Sequence, residues 1–166
     1  MKLPTTKPSP LAKRTTVLLV DDNALVREGF RTILELEDDL EVVGEGRDGR
    51  QAVALARKLH PAVVLMDVTM PVLNGLEALR QMLKILPATL VLMLSCHNDE
   101  AYVQAAMEAG AAGYLLKQTA ANEVCQAIRE VQKGEKVFSP AIARRFADSM
   151  AWRRAGAGFR AHPASV

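Results

Sequence analysis

The chain has 166 residues, room for one domain of common size with short tails. Its composition, 49% hydrophobic and 24% charged, is that of an ordinary soluble globular chain, and a net charge of +2 is too small to argue for nucleic acid by itself. Two cysteines, Cys96 and Cys125, exclude a disulfide framework, and no apolar stretch has the ~20 residues of a membrane span or forms a leader, so a cytoplasmic protein is expected.

Residues 1–14, with Pro4, Pro8 and Pro10 among Thr, Ser and Lys, read as a disordered basic tail. The first apolar run, Val17-Leu18-Leu19-Val20, ends in Asp21-Asp22. Val26, Phe30, Ile33 and Leu34 then mark one face of a helix, and Leu40-Glu41-Val42-Val43 supplies a second strand. Ala52, Leu55, Ala56 and Leu59 form the next stripe, before Ala62-Val63-Val64-Leu65-Met66 runs into Asp67. Leu76, Leu79, Leu83 and Leu86 give a third helix, and Leu90-Val91-Leu92-Met93-Leu94 ends in Ser95. The stripe over 99–108 is weaker, with only Val103, Ala106 and Met107 to face inward. Gly113-Tyr114-Leu115-Leu116 ends in Lys117, and Val124, Ala127, Ile128 and Val131 form the last clear stripe.

Strand and helix thus alternate about five times, which argues for a parallel sheet with helices on both faces. Right-handed crossovers leave few topologies, and the flavodoxin-like strand order 2-1-3-4-5 is the natural one for five strands. The domain is expected over 15–135, and residues 136–166 as a linker helix and basic tail. Ser139-Pro140 starts that helix, with Ile142, Phe146 and Met150 one turn apart. Five Arg and one Asp follow from Ser139 onward.

In that order the first and third strands are neighbours, and the ligand crevice lies at their carboxyl ends. Asp21, Asp22 and Asp67 meet there, with Ser95 and Lys117 on the strands beyond. An acid after a strand is often only a helix cap or a turn residue. Three together are different, because like charges ~4 Å apart repel by roughly 4 kcal/mol at an effective dielectric near 20. Such a cluster calls for a cation, and few oxygen ligands with open positions favour Mg²⁺ with phosphate. Lys117 beside three acids suits an ion pair or phosphate contact better than a solvated surface, and Ser95 is either a turn or cap hydroxyl or a donor to a phosphoryl oxygen. Gly75, after Met70-Pro71, marks a turn and carries no chemistry.

At these residues the chain resembles a known family. Leu18-Leu19-Val20-Asp21-Asp22-Asn23, Met66-Asp67-Val68-Thr69-Met70-Pro71-Val72-Leu73-Asn74-Gly75, Leu94-Ser95 and Gly113-Tyr114-Leu115-Leu116-Lys117 look like the receiver domain of two-component response regulators. Gly134-Glu135 and Phe138-Ser139-Pro140 are most similar to the NarL/FixJ subfamily. The resemblance implies a CheY-like fold in which Asp67 takes a phosphoryl group from a sensor histidine kinase. It implies Mg²⁺ bound directly by Asp22 and Asp67, through water by Asp21, and by the backbone carbonyl of Thr69. Ser95 and Lys117 would contact phosphoryl oxygens, and Tyr114 would be an aromatic switch coupled to Ser95. Thr69 and His97 hold positions that in the family tune loss of the phosphoryl group. The chain is then no turnover enzyme but a phosphoacceptor that catalyses its own transfer and hydrolysis. The resemblance also allows a phosphorylation-dependent homodimer and leaves the downstream protein partner unnamed.

The chain departs from the family in three places. Gln118 follows Lys117 where many receivers have proline. Cys96 follows Ser95 as a small residue. Nothing after Pro140 has the length or apolar pattern of a helix-turn-helix domain, so DNA binding is not expected of this chain alone. A transcription regulator with a lost or truncated output domain is the alternative. An aspartate-nucleophile phosphatase would need a second acid where Thr69 stands, and a P-loop is missing after the first strand.

Overall fold

The computed structural model describes residues 13–97, 99–146 and 159–161. Residues 1–12, most of the expected basic N-terminal tail, lie outside the described residues, as do 147–158 and 162–166 of the expected C-terminal tail. Met150 and Trp152-Arg153-Arg154 fall there.

The elements follow the alternation in the sequence. They are β1 (Thr15–Val20), α1 (Ala24–Glu35), β2 (Leu40–Gly46), α2 (Gly49–Leu59), β3 (Val63–Asp67), α3 (Gly75–Ile85), β4 (Leu90–Ser95), α4 (Glu100–Glu108), β5 (Gly113–Leu116) and α5 (Lys117–Gln132). β6 (Lys136–Phe138), α6 (Pro140–Phe146) and β7 (Phe159–Ala161) follow. Asn23, Asp48 and Asn74 cap α1, α2 and α3 with side-chain oxygens that accept from the first free N–H groups.

All strand pairs are parallel, and the first five strands run in the order β2-β1-β3-β4-β5. The expectation of five strands needs correction, because the sheet continues in the order 2-1-3-4-5-6. β7, three residues long, pairs outside β6. Residues 136–138, expected to open a linker, are therefore part of the sheet. The reason lies in Gly113, where a Cβ would stand 2.1 Å from the Val137 carbonyl oxygen. Only glycine lets β6 come that close to β5.

Successive strand residues point to opposite faces, so each strand feeds two cores. Leu18, Val20, Val64, Met66, Val91, Met93 and Tyr114 pack under α2, α3 and α4, joined by Phe138, Ile142 and Ala143. Val17, Leu19, Val63, Leu65, Leu92, Leu94 and Leu115 pack under α1 and α5. In α3 the buried face is Ala78, Leu79 and Met82, with Leu76, Leu83 and Leu86 half-buried beside it. The face is thus rotated from the leucine stripe toward Ala78, which lets the helix sit close to the sheet. In α4 the buried residues are Val103, Ala106 and Met107, and its N-cap Asp99 makes no side-chain cap hydrogen bond. That helix has the weak anchorage its sequence suggested.

Candidate functional site

Asp21 follows the last residue of β1, and Asp67 is the last residue of β3; these adjacent strands pair Val20 with Met66. The order of strands therefore brings the two acids side by side. Ser95 ends β4 one residue beyond Leu94, the register partner of Asp67. Lys117 opens α5 directly after β5. Asp21, Asp22 and Asp67 offer carboxylate oxygens within 4.8 Å of one another, with Asp21 and Asp67 buried and Asp22 exposed.

Lys117 is the cation that meets these carboxylates. Its Nζ lies 2.7 Å from Asp21 Oδ2 and 3.0 Å from Asp67 Oδ2. It donates a hydrogen bond to Asp67 and pairs still more closely with Asp21 Oδ2, a buried oxygen that no other described donor reaches. Asp21 Oδ1 accepts from the Asn23 N–H at 2.9 Å, and Asp67 Oδ1 from the Thr69 N–H at 3.2 Å.

Burial pushes the Asp67 carboxyl above the usual carboxylate range, and the Asp21 charge adds to this, although Lys117 pulls the other way. For Lys117, burial works against the charge, but Asp21 and Asp67 outweigh it and raise its proton affinity. One ammonium thus serves two buried carboxylates and offsets only one of the three acidic charges. Three carboxylates with oxygens within 4.8 Å of one another and one ammonium between two of them fit a divalent cation of the Mg²⁺ class.

Gly75 has a firmer role than a turn. A Cβ there would stand 2.0 Å from the Asp67 carbonyl oxygen, and its N–H donates to Val68 O at 2.8 Å. The start of α3 is therefore pressed against the backbone that carries Asp67.

The remaining expected residues form a second layer. Ser95 is fully buried, and its Oγ accepts from the His97 N–H at 2.9 Å. Tyr114 is also fully buried; its hydroxyl donates to the His97 carbonyl at 2.8 Å, and burial pushes its pKa up to about 12. The backbone of His97 thus ties Ser95 to Tyr114, while its exposed ring stacks on Tyr102 with centroids 5.3 Å apart. Thr69 is exposed and contacts Asp67 through its backbone. Cys96 is an exposed free thiol, and no cis peptide occurs among the described residues, Lys117-Gln118 included.

Some site-shaping residues gave no such signal in the sequence. Ser139 was expected as a helix cap. Its carbonyl does accept from Ala143, but its hydroxyl reaches back to the Leu116 N–H at 2.8 Å, next to Lys117. Arg27 borders the pocket through the Asp21 carbonyl, and Glu45 pairs with Arg27. An arginine six residues after the acid, one turn into a capped helix, was the available clue.

Comparisons with known proteins agree with this geometry. Residues 17–129 match the family model described as the response regulator receiver domain. The chain is 42% identical over 126 residues to the transcriptional regulatory protein DegU of Brevibacillus brevis, covering 76% of this chain and 53% of that protein. It is 42% identical over 126 residues to the response regulator protein VraR of Staphylococcus aureus strain Mu3, covering 76% of this chain and 60% of VraR. The match thus spans little more than half the length of these relatives. The structure is similar to a LuxR-family two-component response regulator from Aurantimonas sp. SI85-9A1, with TM-score 0.78 and 36% identity over 82% of this chain and 97% of that one. It is also similar to the signal receiver domain of the response regulator NarL from Mycobacterium tuberculosis, with TM-score 0.71 and 35% identity over 74% and 99%. The chain belongs to the response regulator receiver family of two-component systems, with the flavodoxin-like α/β fold of that family.

Proposed function

We propose that this receiver accepts a phosphoryl group on Asp67 from a phosphohistidine of a sensor histidine kinase and signals the change through protein contacts. The observation that supports it most is the buried Asp67 carboxylate at the end of β3, held by Lys117 at 3.0 Å among two further acids. An Asp67 oxygen attacks phosphorus while the N–P bond of the donor breaks and its electron pair leaves with the imidazole. Thr69 N–H and Lys117 orient the carboxylate, and Lys117 stays close enough to offset charge on the transferred oxygens. Asp21, Asp22, Asp67 and the Thr69 carbonyl would hold Mg²⁺, which when bound offsets phosphoryl charge. Ser95 would donate to a phosphoryl oxygen, and Tyr114 would follow it through their shared partner, His97. Thr69 and His97 flank the site and would tune self-catalysed hydrolysis of the acyl phosphate.

Residues 15–135 are the phosphoaccepting unit in this reading, with 136–166 leading toward the output. The chain acts in the cytoplasm, where kinase phosphohistidines are made; no described helix is long and apolar enough to cross a membrane. Homodimerisation on phosphorylation is one form the output takes. A second reading, transcription control through a DNA-binding domain outside this chain, is favoured by relatives such as DegU that are transcriptional regulators.

Incubation with phosphoramidate and Mg²⁺ tests the site. Wild type should gain one acid-stable, base-labile phosphoryl group, and Asp67→Asn none. Labelling of Asp67→Asn at the wild-type rate would show the site assignment to be wrong.

A further inference from the structure

We propose that Arg27 is a positioning residue for the cation site, fixing the backbone of Asp21, and that Glu45 cancels its charge so that the clamp does not repel the cation. The inference rests on the reading of Asp21, Asp22 and Asp67 as Mg²⁺ ligands.

The Arg27 side chain is 14% exposed, although α1 is already capped by Asn23 and needs no buried cation for its start. Its Nη1 donates to the Asp21 carbonyl oxygen at 2.5 Å. Asp21 is thereby held at every polar atom. Its N–H donates to Gly46 O at 3.1 Å, Oδ1 accepts from Asn23, and Oδ2 faces Lys117. Asp21 lies just past the end of β1, where its dihedrals would otherwise be free to turn the carboxylate from the pocket. A planar guanidinium can reach a carbonyl and a carboxylate at once, which a lysine cannot do with equal geometry.

A second cation beside a dication site carries a cost, and Glu45 addresses it. Glu45 Oε1 lies 3.4 Å from Arg27 Nε, and its other oxygen pairs with Arg31 at the solvent side. Glu35 pairs with Arg31 as well, so the two arginines and two glutamates balance; three carboxylates and the Lys117 ammonium then leave two net negative charges, the complement of one divalent cation. With Arg27 unneutralised, only one would remain.

Charge and position predict opposite results when Arg27 is removed. Deleting a nearby cation tightens Mg²⁺ by electrostatics alone, whereas losing the clamp weakens it. Calorimetric titration of the full chain with MgCl₂ separates them. Arg27→Met should weaken Mg²⁺ on the order of ten-fold, the usual scale for supporting residues of a metal site. Arg27→Lys should recover part of the loss, and Glu45→Gln should weaken binding through the freed guanidinium charge. Phosphoramidate labelling should need more Mg²⁺ for half-maximal rate in Arg27→Met and reach an unchanged plateau. Wild-type or tighter affinity in Arg27→Met would overturn the inference and leave Arg27 a staple between α1 and β2. If Arg27→Met does not fold, Glu45→Gln decides, and unchanged affinity there overturns it. Wild type that binds no Mg²⁺ overturns this inference together with the metal reading, whereas failure confined to the variants leaves that reading intact.

Discussion

Two clusters of one cation and nearby acids sit at the two ends of α5, and they behave in opposite ways. At the start of the helix, Lys117 meets Asp21 and Asp67 in a buried pocket. Near its end, Arg129 forks onto Asp39 through Nε and Nη2 at 2.9 and 2.8 Å and donates to Glu37 at 2.9 Å, half in solvent. Hydrogen bonding to Arg129 holds the Asp39 carboxyl below the usual carboxylate range and raises the proton affinity of Arg129. Burial pushes the Asp67 carboxyl the other way. Residue types are nearly the same. What differs is that a solvated, bidentate fork serves its acids, whereas a single ammonium is shared between two buried carboxylates. The exposed cluster ties α5 to the loop before β2, and the buried one is where we propose phosphoryl transfer.

Removing each cation should expose the contrast most strongly. Lys117→Met should slow phosphoramidate labelling of Asp67 on the order of 100-fold, the scale for loss of one donor to developing charge. Arg129→Met should leave the labelling rate unchanged. Equal effects of the two would erase the distinction between the ends.

Next come the acids, read by thermal unfolding in Mg²⁺-free buffer. Asp67 has a raised folded pKa, so the folded state binds protons more tightly than the unfolded one. Its ionisation therefore costs stability, a cost that grows as the pH rises through the folded pKa and is absent below the unfolded value of about 4. Asp67→Asn should raise the melting temperature at pH 7, and the gain should fade as the pH falls toward 4. A lower melting temperature at pH 7 would mean that Lys117 outweighs burial.

Asp39 has the opposite sign. Its lowered folded pKa gives stability that is present above about pH 4 and lost as pH falls through the folded value. Asp39→Asn should cost roughly 0.2–1 kcal/mol at pH 7, the range for exposed pairs. The smallest effect is that of salt. Raising NaCl from 0.05 to about 1 M, where the screening length falls to ~3 Å, should shrink the Asp39→Asn difference more than the Asp67→Asn one.

Much of the candidate site was legible because each strand announces its own end. Apolar runs stop at Asp21, Asp67, Ser95 and Lys117, and the strand order then follows from parallel crossovers. The weak anchorage of α4 was legible too, in its sparse apolar stripe. β6 was not, because Val137-Phe138 is too short for a period and its place depends on the missing side chain of Gly113. Arg27 escaped because its spacing from Asp21 is only a clue, and its contact depends on how α1 is rotated against β2. Ser139 gave the right helix start but hid its hydroxyl's target, a strand 23 residues earlier.

That short strand has a practical consequence for anyone shortening the chain. Val137 N–H donates to Ala112 O, Ser139 N–H to Tyr114 O, and Leu116 N–H to the Ser139 hydroxyl. A protein cut after Glu135 would bare all three groups along β5, together with the apolar surface that Phe138 covers. An open strand edge of this kind is a template for another chain. The short form would trade three residues of sheet for a tendency to aggregate.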